Sequence, residues 1–73
     1  MKVAVYGRTF EEGFLSYIRN FFQLLNTYGF QIHIYKDFLY YMSETYNFHP
    51  SVDDTFTGYK DINEKVDFII SIG

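Results

Sequence analysis

The stretch that most limits what this chain can fold into is its last, Val66-Asp67-Phe68-Ile69-Ile70-Ser71-Ile72-Gly73. It is short and apolar, with β-branched residues at Val66, Ile69, Ile70 and Ile72, and its sides do not alternate between polar and apolar. That pattern predicts a strand covered on both faces, as in a parallel sheet. In open α/β sheets the ligand loops leave the C-terminal ends of such strands. The run therefore predicts a site beginning at Gly73. It also predicts an incomplete domain, with one sheet edge and one strand end uncovered.

The rest of the chain supplies partners for that strand. Lys2–Tyr6 reads as a first strand, followed by Gly7. Gly7 admits two readings: a turn residue at positive φ, or a place where backbone approaches a phosphate. Thr9 or Glu11 can start a helix, with Thr9 and Glu12 at capping-box spacing. Phe14, Tyr17, Ile18, Phe21, Leu25 and Tyr28 then recur at spacings of three and four, widened by Phe22 and Leu24. Arg19, Asn20, Gln23 and Asn26 fall outside the stripe, which reads as core. The expected helix spans Glu11–Tyr28 and stops at Gly29.

Phe30–Tyr35 is the second predicted strand. Phe30, Ile32 and Ile34 alternate with Gln31, His33 and Tyr35, which places this strand nearer an edge. Lys36–Met42 predicts a short helix with Phe38, Leu39 and Met42 on its apolar side. A polar and aromatic loop follows from Ser43, in which Pro50 disfavours helix at His49. Thr55-Phe56-Thr57 is expected to be briefly extended before a turn at Gly58. Asp61 is expected to cap a helical turn through Lys65, with Glu64 at capping-box spacing. With right-handed crossovers, these elements predict an α/β fold with a three-stranded parallel sheet in order 2-1-3 and flanking helices. The crevice would open between the ends of the first and last strands, at Gly7 and Gly73.

Composition narrows the function classes. The chain has 73 residues and no cysteine, so disulfides and cysteine-based metal sites are excluded. Eight Tyr and nine Phe are more than so short a chain readily hides, at about 150–250 Å² each. They point to packing against further sequence or a partner. The net charge is −3 and the basic residues do not cluster, which argues against nucleic acid. No apolar run reaches the ~20 residues of a membrane span. The start enters a strand directly, so no signal peptide is expected and a cytoplasmic location is. His33 and His49 have no second ligand at metal spacing and read as surface or hydrogen-bonded histidines. Asp53-Asp54 lacks the ligand spacing of a calcium loop and reads as solvated loop charge.

Two segments resemble the NAD kinase family. Val66–Gly73 resembles the segment that runs into the family's Gly-Gly-Asp-Gly signature, with Gly73 as its first glycine. Val3-Ala4-Val5-Tyr6-Gly7-Arg8 resembles the first strand and the turn after it, and the length between the two fits. The resemblance implies that residues 1–73 are the amino-terminal part of a Rossmann-like nucleotide-binding domain, with a carboxy-terminal domain outside them. It implies transfer of a phosphoryl group from ATP or polyphosphate, with a divalent cation such as Mg²⁺, to the 2′-hydroxyl of NAD's adenosine ribose. It also implies a homo-oligomeric parent enzyme. The signature's aspartate, the expected base, would follow Gly73, so no catalytic residue is expected here. Gly73, Gly7 and Arg8 are the residues placed near nucleotide. Arg8, always charged, could meet a phosphate or pair on the surface with Glu11 or Glu12. Lipid kinases and phosphofructokinases share a similar loop and are the nearest alternative. A flavodoxin-like or receiver-like binding module is the other. A receiver would want an acidic pair after its first strand and an aspartate ending its third, where this chain has Tyr6-Gly7-Arg8 and Ser71-Ile72-Gly73.

Overall fold

A computed structural model describes residues 1–62 and 66–72. The order is β1 (Lys2–Gly7), a 3-10 turn (Glu12–Phe14), α1 (Leu15–Thr27), β2 (Gln31–Tyr35), α2 (Lys36–Tyr46), β3 (Asp54–Phe56), α3 (Tyr59–Ile62) and β4 (Phe68–Ile72). The four strands form one all-parallel sheet in the order β3-β2-β1-β4. The α/β class and the neighbours expected for the first strand are therefore present. The strand count differs, because the brief extension expected around Thr55 hydrogen-bonds to β2 as a fourth strand. No helix among the described residues is long and apolar enough to cross a membrane.

β1 is the centre of the fold. Val3, Ala4 and Val5 have no exposed surface. Alternation along the strand sends Val3 and Val5 to one face and Ala4 to the other. On the first face they join Ile32 and Ile34 under Ile18, Phe22 and Leu25 of α1 and Phe38 and Met42 of α2. On the second, Ala4 packs with Phe56 and Ile62. β2 is interior, not nearer an edge. Its wetter side, His33 and Tyr35, marks the thinly covered second face and not a free edge.

Helical conformation begins at Glu12, with Glu11 extended before it and no side-chain cap, so Thr9 does not serve as one. Gly29 takes φ 76° after the helix, as its position past the cap requires. The stripe read as core is only partly core. Ile18, Phe22 and Leu25 are buried, while Phe14, Tyr17, Leu24 and Tyr28 are 43, 66, 55 and 74 % exposed. The sheet is narrower than the apolar side of the helix, so one flank stays open. α2 runs on to Tyr46, beyond the expected Met42, and ends on Asn47 in the left-handed region at φ 53°. Asparagine tolerates that conformation better than most residues.

β4 departs from the expectation of cover on both faces. It is an edge strand, and Phe68 and Ile69 are 41 and 45 % exposed. Asp61 does not begin a helix. It sits within α3 and reaches back, its Oδ2 accepting from the Thr57 amide at 3.0 Å and hydroxyl at 2.7 Å. The expected continuation of that turn through Glu64 and Lys65 lies outside the described residues.

Both outer strands are registered by the same device. Asp53, just before β3, accepts the Ile32 amide on Oδ2 at 2.7 Å and donates its own amide to Ile32 O at 2.9 Å. Asp67, just before β4, does the same with Lys2 at 2.8 and 2.9 Å. Asp53 is thus not free loop charge. A carboxylate at the mouth of each ladder terminates it with a charge-assisted bond. Asp53→Ala and Asp67→Ala are each expected to destabilise the chain by roughly 0.5–1.5 kcal/mol in urea unfolding. Ile34→Ala, which opens a cavity in the core, should cost about 2–5 kcal/mol.

Candidate functional site

The connections give the sheet a point of reversal. From β1 to β2 to β3 the chain steps one way, with α1 and α2 on the face of Val3 and Val5. The return from β3 to β4 crosses on the other face, where Ile62 of α3 meets Ala4. β1 and β4 therefore lie side by side with their connections on opposite faces. Their ends meet at the Gly7–Ile72 pair. In open α/β sheets this is where ligands bind. Gly73, the first of the expected site residues, lies outside the described residues.

Gly7 ends β1, and the turn reading is wrong for it. Gly29 is the positive-φ glycine among the described residues, not Gly7. What demands a glycine is Phe38. A Cβ on Gly7 would stand 2.6 Å from the tip of that ring, which is 1 % exposed and cannot readily withdraw. The missing side chain lets α2 lie close over the end of the central strand.

A cleft of about 390 Å³ opens at this end on the β1–β2 side, lined by Tyr6, Gly7, Arg8, Tyr35, Asp37 and Tyr41 among others. The Tyr6 and Tyr35 rings in its lining are 4.8 Å apart at 39°. Arg8 Nε donates to the Tyr6 hydroxyl at 3.4 Å, and this contact raises the guanidinium further above its ordinary range. Arg8 thus leans on Tyr6, not on Glu11 or Glu12. The Tyr35 hydroxyl donates to Asp37 Oδ2 at 3.2 Å, and the carboxylate pushes the phenol upward. The result is a cation and an anion lining one cleft, each hydrogen-bonded to one of two tyrosines whose rings are in contact.

The loop carrying Arg8 is held by Phe10. Its carbonyl accepts from the Tyr46 hydroxyl at 2.6 Å and the Tyr41 hydroxyl at 2.8 Å. Its ring stacks on Tyr46 at 5.1 Å and meets Tyr41 and Phe38 edge-on at 5.7 and 6.1 Å. Sequence reasoning missed this clasp, because Phe10, Tyr41 and Tyr46 share no periodicity. It also passed over Asp37, although a carboxylate just past the end of a parallel strand is a usable signal.

Other expected features resolve simply. His49 Nε2 lies 3.1 Å from Asn47 Oδ1, in keeping with a hydrogen-bonded surface histidine. Among the described residues no three His, Asp or Glu side chains converge on a point that could hold a metal ion. Comparison with protein-family models, curated proteins and solved structures finds no match for this chain.

Two measurements probe this end of the sheet. Gly7→Ala should destabilise the chain by about 1–3 kcal/mol through overpacking against Phe38. Adding Phe38→Leu should recover part of that loss relative to Phe38→Leu alone. Failure of the two substitutions to couple in a double-mutant cycle would remove Phe38 as the reason for the glycine. The second is pH dependence. The bond to Tyr41, ahead of burial, raises the Tyr46 phenol to about 12. Its contribution is complete below pH ~10, where the unfolded phenol is still neutral, and is lost as pH rises toward the folded value. Thermal melts between pH 9 and 12 should show this alkaline loss, and Tyr46→Phe should lower the midpoint and flatten the profile.

Proposed function

We propose that this chain is the amino-terminal part of the nucleotide-binding domain of an NAD kinase, with a Rossmann-like sheet continued by sequence beyond Gly73. One juxtaposition supports the reading. Gly7 faces Ile72 across the β1–β4 ladder, so the strand–Gly–Arg opening and the Phe68–Ile72 strand end side by side at the reversal of the sheet. These are the two segments that resemble the family. They come from opposite ends of the chain, and the order β3-β2-β1-β4 is that of the first four strands of a doubly wound dinucleotide-binding sheet.

In this reading the parent is a cytoplasmic, homo-oligomeric enzyme that phosphorylates the 2′-hydroxyl of NAD's adenosine ribose. The contribution of these residues is positioning. Arg8 offers a permanent positive charge at the mouth of the cleft, held there by Tyr6 and by the Phe10 clasp. Gly7 brings backbone to this end of the sheet, where amides can approach phosphate oxygens; Gly73, proposed for the same role, lies outside the described residues. The described residues offer no ligand set for a divalent cation, so Mg²⁺ would be held by the phosphates and by residues outside them. The proton acceptor for the ribose hydroxyl would likewise be supplied from beyond Gly73.

In the parent enzyme, Arg8→Ala should raise the KM for ATP roughly tenfold, as expected for loss of a charge-assisted phosphate contact, and leave that for NAD nearly unchanged. Equal or absent effects would return Arg8 to a structural role on Tyr6. The 73-residue chain alone should form no NADP from NAD, ATP and Mg²⁺, since much of the ~7–11 kcal/mol available from correct orientation would be missing. The reading frame after Gly73 should continue Gly-Asp-Gly; any other continuation overturns the kinase reading.

A further inference from the structure

We propose that Asp37 sets the specificity of the cleft beside Gly7, its carboxylate accepting from the 2′- and 3′-hydroxyls of a ribonucleoside 5′-phosphate whose phosphate meets Arg8. The site would then take ribonucleotides and refuse their 2′-deoxy forms. The inference rests on the nucleotide reading of this end of the sheet and adds to it which group of the nucleotide is read, and by which residue.

Asp37 lies just past the end of β2, in the first turn of α2. An acid there suits the helix dipole by itself. This one has a further contact. Its Oδ2 accepts from the Tyr35 hydroxyl at 3.2 Å, and both residues line the cleft with Tyr6 and Arg8. One hydroxyl leaves most of a carboxylate's lone pairs open. A cis-diol offers two O–H donors side by side, the complement of two carboxylate oxygens. In doubly wound dinucleotide sheets an acidic residue holds a ribose hydroxyl in this way. A 2′-deoxy sugar lacks one of those donors and leaves an acceptor unpaired.

The cation in the same lining is available for the phosphate. Arg8 Nε is engaged by Tyr6, and the terminal N–H donors of the guanidinium remain. The groups acting on it are the Tyr6 and Tyr35 phenols, not a carboxylate, and no ion pair joins it to Asp37 among the described residues. A cation and an anion that share a cleft without neutralising each other suit a ligand with an anionic end and a donor-rich sugar. The volume, about 390 Å³, falls in the range of small-molecule sites. The Tyr6 and Tyr35 rings add aromatic surface for a base. Stacking does not choose between bases, so selection rests on the sugar.

The ligand is one nucleotide, not the adenosine half of a dinucleotide seated on α1. A Gly-x-Gly-x-x-Gly turn counted from Gly7 would need glycine at Thr9 and Glu12. α1 begins only at Leu15, and Glu11 and Glu12 stand before it. Their charge turns a pyrophosphate away from the helix start that would otherwise hold it. Arg8 is left as the phosphate contact. In the kinase reading, the ribose held by Asp37 is therefore that of the donor, ATP, and not that of NAD.

Amide NMR shifts of the 73-residue chain, titrated with AMP to about 10 mM, test this, since so few contacts support millimolar affinity. AMP should move the amides of residues 7–9 and 36–38, and 2′-deoxy-AMP should bind about tenfold more weakly. Asp37→Ala, at an exposed position, should reduce that preference below about twofold while the spectrum stays folded. Arg8→Ala should weaken both nucleotides and keep the preference. Inorganic phosphate should move residues 7–9 alone. No shifts with AMP, equal binding of the two nucleotides, or a preference that survives Asp37→Ala each overturns the proposal. In the parent enzyme, 2′-deoxy-ATP should show a KM about tenfold above that of ATP, and Asp37→Ala should close the gap without moving the KM for NAD. A change in the KM for NAD instead overturns the assignment to the donor. A continuation other than Gly-Asp-Gly after Gly73 removes the kinase reading and leaves the AMP result to stand or fall by itself.

Discussion

The approach of Phe38 to Gly7 is the contact on which the functional end of this fold depends. α2 can lie close over the central strand only because that strand ends in a residue without a side chain. Once α2 is there, Tyr41 and Tyr46 come within reach of the Phe10 carbonyl. The loop after β1 is then fixed, and with it the position of Arg8 beside Tyr6. A glycine that might serve a ligand serves packing first. The two uses are compatible, since Phe38 fills the helix side of Gly7 and leaves the strand end to the cleft.

The aspartates at the ladder mouths solve a different problem. Short parallel strands leave amides unpaired where the sheet begins, and a strand of three residues such as β3 has little else to hold its register. Asp53 and Asp67 each satisfy one such amide with a carboxylate and pair their own amide with the same neighbour. The outer strands are thereby held at the end of the sheet opposite the cleft. Both ends of the sheet are pinned by polar contacts to backbone, while apolar packing secures the middle.

Of the seventeen aromatic rings in so small a chain, ten illustrate three uses. Phe22, Phe38 and Phe56 are core. Phe10, Tyr41 and Tyr46 form the clasp, with the tyrosines using both ring and hydroxyl. Phe14, Tyr17, Tyr28 and Phe68 remain substantially exposed. A helix on one face of a sheet buries only the arc it turns to the strands, so an apolar side wider than that arc leaves a flank over. The size of the sheet, not the hydrophobicity of the helix, decides which of these rings are covered.

The sequence alone determined the class of fold, the neighbours of β1, the break at Gly29 and the location of α1, because these follow from local periodicity and backbone preference. It also showed that a strand lies within Val66–Ile72, observed as Phe68–Ile72. It could not show that this strand stands at an edge, since burial depends on what lies beside it. The same limit explains the other corrections. The strand at Asp54–Phe56 is too short to carry a pattern and exists because β2 offers it a partner. The reason for Gly7 is a ring thirty-one residues away. The Phe10 clasp joins residues 31 and 36 positions apart. Periodicity reports what a segment turns toward a surface; only the packed chain decides which surface is there.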